Sequence, residues 1–355
     1  MTDFSPEPMP ASLARPAFIA AAAALLASPL AAQERHVLPG PAAAIWNLAG
    51  DVRLEPGTGA DVVVELTRGG SDGRRLDVVA SGGQLKVRYP ASEVVYRGGS
   101  GNGRSSSTLN VREDGTFNGD WNGRGRRTTV RTSGSGLEAH ANLVIKVPAG
   151  KRLEVNLAIG TVEVTNVDGD LRIDVHSATV RASGTKGRLV VDAGSGSVHV
   201  ENASGELEVD TGSGSTILTD LQMTRVVVDA GSGSVTARGV RADRFSVDVG
   251  SGSVTAENLT TDDLFVDTGS GSVRVDLTKV PRRTGIDTGS GSVSITLPAG
   301  SNADLDLESS SGGISSDFPV TMNDVRRHSL RGKIGEGGPI IQVSSGSGGV
   351  RLLKR

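Results

Sequence analysis

One short phrase, returning at almost constant spacing, constrains this chain more than any other feature. Val191-Asp192-Ala193-Gly194-Ser195-Gly196-Ser197-Val198 recurs from Val209, Val228, Val247, Val266 and Ile286, each time with Asp next and Gly-Ser-Gly-Ser after one further residue. The aspartates at 174, 192, 210, 229, 248, 267 and 287 step by 18, 18, 19, 19, 19 and 20 residues. A period this close to twenty is a solenoid signature, whereas a propeller blade takes about forty residues or more. Weaker copies lie at Ile173-Asp174-Val175, Leu307-Glu308-Ser309 and Val343-Ser344-Ser345.

Each repeat carries its own pleat. In Leu207-Glu208-Val209-Asp210-Thr211, apolar or small residues alternate with acids, the period of a half-buried strand. Gly212-Ser213-Gly214 then reads as a turn, and Asn202-Ala203-Ser204-Gly205 as the opposite corner. One such rung cannot bury its apolar side alone, but stacked rungs can. At about 4.8 Å per rung, ten or so would make a stack of roughly 50 Å. The composition agrees: 49 of 355 residues are Gly, aromatics number ten, and Cys is absent. Columns of Val, Leu, Ile and Ala therefore fill the interior. The absence of Cys excludes a disulfide scaffold and a Cys-ligated metal site. A formal charge of −3 gives no global basic field for nucleic acid. The expected fold is all-β: a parallel β-solenoid, a single-stranded β-helix taken as right-handed, with rungs of 18–20 residues and an N-terminal β-rich cap.

Three segments are expected. Residues 1–32 read as a secretory signal peptide: Arg15, the apolar run Ala17–Ala27, and small residues before Gln33-Glu34-Arg35. Asp3 and Glu7 lengthen and acidify its start, which initiation at Met9 would remove. The apolar run is about half of what a ~30 Å hydrocarbon core requires, and no later stretch is long enough to span. Residues 33–149 read as a β-rich cap with an irregular loop at 97–131, and 150–355 as the solenoid. Gly69-Gly70-Ser71-Asp72-Gly73 matches a nucleophile-elbow pattern, but it joins two strands and reads as a hairpin turn.

The arrangement resembles domain-of-unknown-function family 4097, exported adhesin-like bacterial β-repeat proteins. The resemblance spans roughly residues 44–353 and rests on four features. These are Asn47-Leu48-Ala49-Gly50-Asp51-Val52, Val147-Pro148-Ala149-Gly150, the Gly-Ser-Gly rungs, and Ser316-Asp317-Phe318-Pro319-Val320. It implies a β-helix at the cell envelope with an adhesive or scaffold role, and it brings no catalytic residues.

The stacked acids Asp192, Asp210, Asp229, Asp248, Asp267 and Asp287 are the most conspicuous constellation. Alternation turns them outward, where like charges repel. The first reading is that each accepts hydrogen bonds from its own Gly-Ser-Gly turn. The sharper one is a ladder of Ca²⁺, although calcium-binding β-rolls place Asp after the glycines rather than before them. The five His residues share no metal-ligand spacing. The 97–131 loop holds seven Arg against three acids. Its Trp121, with Arg124, Arg126 and Arg127, suits contact with a sugar or anionic polymer. The expected function is therefore an exported, non-enzymatic adhesin or envelope scaffold of the periplasm or cell surface. Its partner would be a cell-surface polysaccharide or an envelope protein, with no cofactor and no nucleic acid. The alternatives are a polysaccharide-active β-helix enzyme and an envelope-associated regulatory sensor.

Overall fold

The computed structural model describes residues 1–2, 33–98, 105–118, 125–326 and 328–355. The expected signal peptide, 1–32, thus lies almost wholly outside the described residues. Contacts divide the chain into Met1–Leu30 and Ala31–Arg355, and the second unit is described below.

Alternating apolar and polar residues build parallel strands in nearly every rung. Lys151–Thr165 pairs with Asp168–Ser183, which pairs with Lys186–Ser195, and so on through Ser204–Thr211, Gln222–Ala230, Arg241–Val249, Val254–Thr268 and Arg283–Thr288. Apart from a shift between Gly205 and Glu206, register is kept from rung to rung, so equivalent residues form columns. One inward column runs Val155, Ile173, Val191, Val209, Val228, Val247, Val266 and Ile286, all buried. A second runs from Leu153 through Phe245 to Leu264, and Phe245 supplies a rare large ring. The fold is the expected all-β parallel solenoid.

Corners form where the sequence tolerates unusual backbone. Asn166, Asn202, Asp220 and Asn258 adopt positive φ (51° to 55°), and Gly184 and Gly239 fill the same corner in the intervening rungs. Asn, Asp and Gly enter this left-handed region at least cost. The opposite corner is the Gly-Ser-Gly turn, whose glycines stack directly on those of the rung before.

The two ends of the stack depart from chain order. At the N-terminal end, Ala42–Pro56 lies against Lys151–Thr165, with Gln84–Arg88 and His140–Val147 on its other edge. Val62–Gly69 runs antiparallel to both Gln33–Leu38 and His140–Val147. It does not pair with Asp77–Ser81, which instead pairs with Gln84–Arg88. The Gly69–Gly73 segment is therefore a linker leading into the short 3-10 turn Gly73–Arg75, not the expected hairpin.

At the C-terminal end, Arg283–Thr288 pairs with Ile340–Ser345, and only beyond that does Ala303–Ser309 follow. Likewise Val350–Lys354 lies between Val293–Leu297 and Ile314–Ser316. The chain's final rung is thus inserted one place inward. Repeat order along the chain is therefore not spatial order at this end. The antiparallel pair Val320–Arg326 and Ser329–Ile334 covers the outer side of Ala303–Ser309.

A separate four-stranded sheet carries the irregular region. Ser106–Val111 and Arg126–Arg131 form a hairpin, joined by Glu93–Val95 and Leu137–Glu138.

Candidate functional site

Register places Asp174, Asp192, Asp210, Asp229, Asp248, Asp267 and Asp287 directly beside one another on successive rungs. Their side chains face outward, and the members from Asp210 onward are exposed. They do not cap their turns. The turn amides are taken by the preceding rung: Gly212 N–H donates to Ala193 O (2.9 Å), Gly231 to Thr211 O (2.9 Å) and Gly250 to Ala230 O (2.9 Å). Further along, the inward hydroxyl one residue after the Asp does the capping. Thr268 Oγ1 accepts from Gly271 N–H (2.8 Å), and Thr288 Oγ1 accepts from Gly291 N–H (2.9 Å). Ser345 and Ser309 repeat this with Gly348 and Gly312.

With no hydrogen-bond donor to stabilise the charge, three of these carboxyls favour protonation. Burial, then the neighbouring Asp192 and Asp229, pushes the Asp210 carboxyl above its ordinary value. Asp248 is raised likewise, by burial and by Asp267 and Asp229. Asp174 is pushed up to about 6, first by burial and then by Asp192. Elsewhere on the outward face opposite charges pair: Arg152 with Asp170 (3.1 Å) and Arg188 with Glu208 (3.0 Å). Among the described residues, no three His, Cys, Asp or Glu side chains converge to hold a metal ion. Calcium takes six to eight oxygens, and a straight column brings only adjacent carboxylates to any one point.

The head of the column is covered. Continuing the register backwards, Asp174 gives way to Asn156, Trp46 and Lys86. The segment after Ser106–Val111 folds onto these residues and buries Phe117. Trp46 Nε1–H donates to Phe117 O (3.1 Å), and Asn118 Nδ2 donates to Asn156 Oδ1 (3.1 Å). His176 Nε2 lies 2.7 Å from Asn118 Oδ1, and its pKa is lowered by burial. Lys86 Nζ pairs with Asp114 (2.7 Å). Burial raises that carboxyl, but the hydrogen bonds from Lys86 and Thr116 outweigh it and bring it to about 2. Nothing in the periodicity announces Asn118. Asn156, standing where the repeat has Asp, was the one readable sign.

Beside this anchor a groove of about 1040 Å³ opens between the two hairpins, lined by Arg88, Arg112, Arg126, Asp77, Glu113 and Asp114. Of the residues singled out from sequence, Trp121 and Arg124 lie outside the described residues. Arg126 holds the cap together, donating from Nη2 to Tyr89 O (2.7 Å) and Ala91 O (3.0 Å). Arg127 is exposed on its strand opposite Asn110. A shallower groove of about 340 Å³ lies on the acid face, where Gly285 leaves a notch beside Phe265. Arg244 sits 5.0 Å above that ring. No helix among the described residues is long and apolar enough to cross a membrane.

No curated protein matches the chain. A crystal structure described as a putative cell adhesion protein from Clostridium sporogenes aligns over 91% of this chain and 99% of its own. The identity is 10% and the TM-score 0.18, too low for the likeness to carry an argument. The sequence profile is another matter, because it spans both the cap and the rungs. The Toastrack DUF4097 profile matches residues 45–353, and the chain belongs to that family.

Proposed function

We propose that this protein is an exported, non-enzymatic adhesin or envelope scaffold that binds a repeating polymer, a cell-surface polysaccharide in the first instance. The observation that carries the reading is the register of the outward columns. An aspartate returns on each successive rung from Asp174 to Asp287, at about 4.8 Å intervals, so a polymer with its own repeat can be held at many weak points at once. Such multivalency multiplies modest single contacts without any new chemistry. The acids support it further, because they follow the repeat from Asp192 to Asp287. A polysaccharide-cleaving β-helix would need a local break, with particular carboxylates set apart. The groove, lined by Arg88, Arg112 and Arg126 together with Asp77, Glu113 and Asp114, is the natural second contact, offering both charges to a polar sugar. Residues 1–32 act as the cleaved leader in this reading, and no cofactor is needed.

The test is titration of residues 33–355 against polysaccharides from the producing cell's envelope, with a parallel assay for new reducing ends. The expected result is saturable, salt-weakened binding without cleavage. Release of product, abolished by Asp→Ala at one rung only, would establish the enzyme instead. Absence of binding to every fraction would sink the adhesive reading.

A further inference from the structure

The inserted last rung is the feature that the proposed function leaves unused. Ile340–Ser345 and Val350–Lys354 occupy a slot with parallel strands on both sides. The strands on the outer side, Ala303–Ser309 and Ile314–Ser316, carry the same inward pattern as the segment that separates them from the stack. Leu305 corresponds to Ile341, Leu307 to Val343, Ser309 to Ser345 and Ile314 to Val350.

The hydrogen bonds are interchangeable too. Ser345 Oγ accepts from its own turn at Gly348 N–H (3.0 Å) and lies 3.2 Å from Gly291 O of the preceding rung. Ser309 Oγ accepts from its own turn at Gly312 N–H (2.8 Å) and donates to Gly348 O of its preceding rung (2.9 Å). With residues 340–355 withdrawn, the 303–316 rung can close onto 283–297 in the same register, with Ser309 reaching Gly291 O. Release of the tail therefore leaves no bare strand edge, which is the usual penalty for losing a strand.

The tail also enters its slot through a glycine-rich hinge. It is linked through Gly335–Pro339, in which Gly335, Gly337 and Gly338 have positive φ. Its charged end is held by an exposed pair between Arg355 and Asp276, a kind of contact that contributes little. Ile340 is already half exposed. A released tail keeps the apolar edge of Ile341, Val343, Val350 and Leu352, for which the identical slot of another molecule is the best-fitting receptor.

We propose that residues 340–355 are an exchangeable rung, which inserts into the equivalent slot of a second copy of this chain and links the copies at their C-terminal ends. Every contact made within one chain is remade between two, so the balance is set by concentration and by the hinge.

The chain has no cysteine, so directed cross-linking reads the exchange directly. Asp287 and Ser344 are register partners on adjacent strands, and both are exposed. Adjacent strands lie about 4.8 Å apart, a separation that suits a disulfide. One population carries Asp287→Cys alone and the other Ser344→Cys alone; they are mixed, incubated and oxidised. Exchange yields a mixed disulfide species of twice the chain mass, in clear excess over a control mixture of Asp210→Cys with Ser344→Cys. A second measurement needs no substitution in the exchanging pair. Wild-type copies bearing two different tags become jointly capturable after incubation, whereas chains first locked by an internal Asp287→Cys/Ser344→Cys disulfide do not. Equal yields from both mixtures, monomers throughout, or joint capture that survives the lock would each overturn the proposal.

Discussion

The carbonyl oxygen of Gly196 occupies the space into which a Cβ on Gly214 would project. The same overlap recurs between Gly214 and Gly233, Gly252 and Gly271, and Gly271 and Gly291. Glycine is required here by the rung below rather than by an unusual φ. Replacing Gly214 or Gly271 by Ala should therefore destabilise the stack by about 1–3 kcal/mol, the range for forced overpacking. Gly300→Ala, with open space around its site, should leave the melting temperature nearly unchanged. Thermal unfolding of the three variants decides the matter.

Val247 and Asp248 are chain neighbours on opposite faces: the first is buried in the column between Val228 and Val266, and the second is exposed. Val247→Asp should cost about 4 kcal/mol, because an unpaired charge would enter an apolar column. Asp248→Val should cost far less. Equal losses in denaturant titration would show the face assignment to be reversed.

Asp174 gives the pH dependence a definite sign. Its folded pKa, about 6, lies above the ordinary 3.8, so between those values the folded chain binds more protons than the unfolded one. The carboxylate thus detracts from stability above pH 6, and that loss is relieved as pH falls toward 4. Asp174→Asn, which mimics the protonated side chain, should raise the melting temperature at pH 7.5. The advantage over the parent should vanish near pH 4. Had the Asp residues capped their turns, their pKa values would be lowered and the same substitution would destabilise at neutral pH.

Calcium supplies an independent check on the column. Adjacent carboxylates alone give a weak divalent site, so the melting temperature should be the same in EDTA and in millimolar calcium. A steady rise with calcium, removed by Asp229→Asn together with Asp248→Asn, would instead show ligand linkage.

Phe117 fixes the hairpin over Trp46 and Asn156. Phe117→Ala should cost about 3–5 kcal/mol, as large-to-small changes at buried aromatic sites do. Asn118→Ala should cost less but free the His176 ring, moving its pKa back toward its ordinary value. Proton NMR titration of His176 reads that shift.

Much of this architecture was legible because repetition over-determines it. Val228 inside, Asp229 outside and the corner at Asn202 each follow from a pattern stated many times in the chain. What escaped was whatever occurs once. Asn118 meets Asn156 and His176 through a segment with no period. The capping role passed unseen because Thr268 and Thr288 look like ordinary small inward residues, while the acids beside them draw attention. The inserted rung escaped for the opposite reason: Leu305-Asp306-Leu307 and Ile341-Gln342-Val343 fit either place equally well, so pattern alone cannot order them.

The displaced order at both ends also sets a timetable for folding. Middle rungs pair with segments 18 to 20 residues away, contacts that close early because little chain entropy is lost. Ile45, by contrast, pairs with Val155, so Ala42–Pro56 can join the regular rungs only after more than a hundred later residues. At the other end, Leu307 can take its final place beside Val343, and Val343 beside Ile286, only after residues 340–345 have been made. A chain emerging from its N-terminus would therefore assemble its regular rungs first and seat residues 340–354 afterwards.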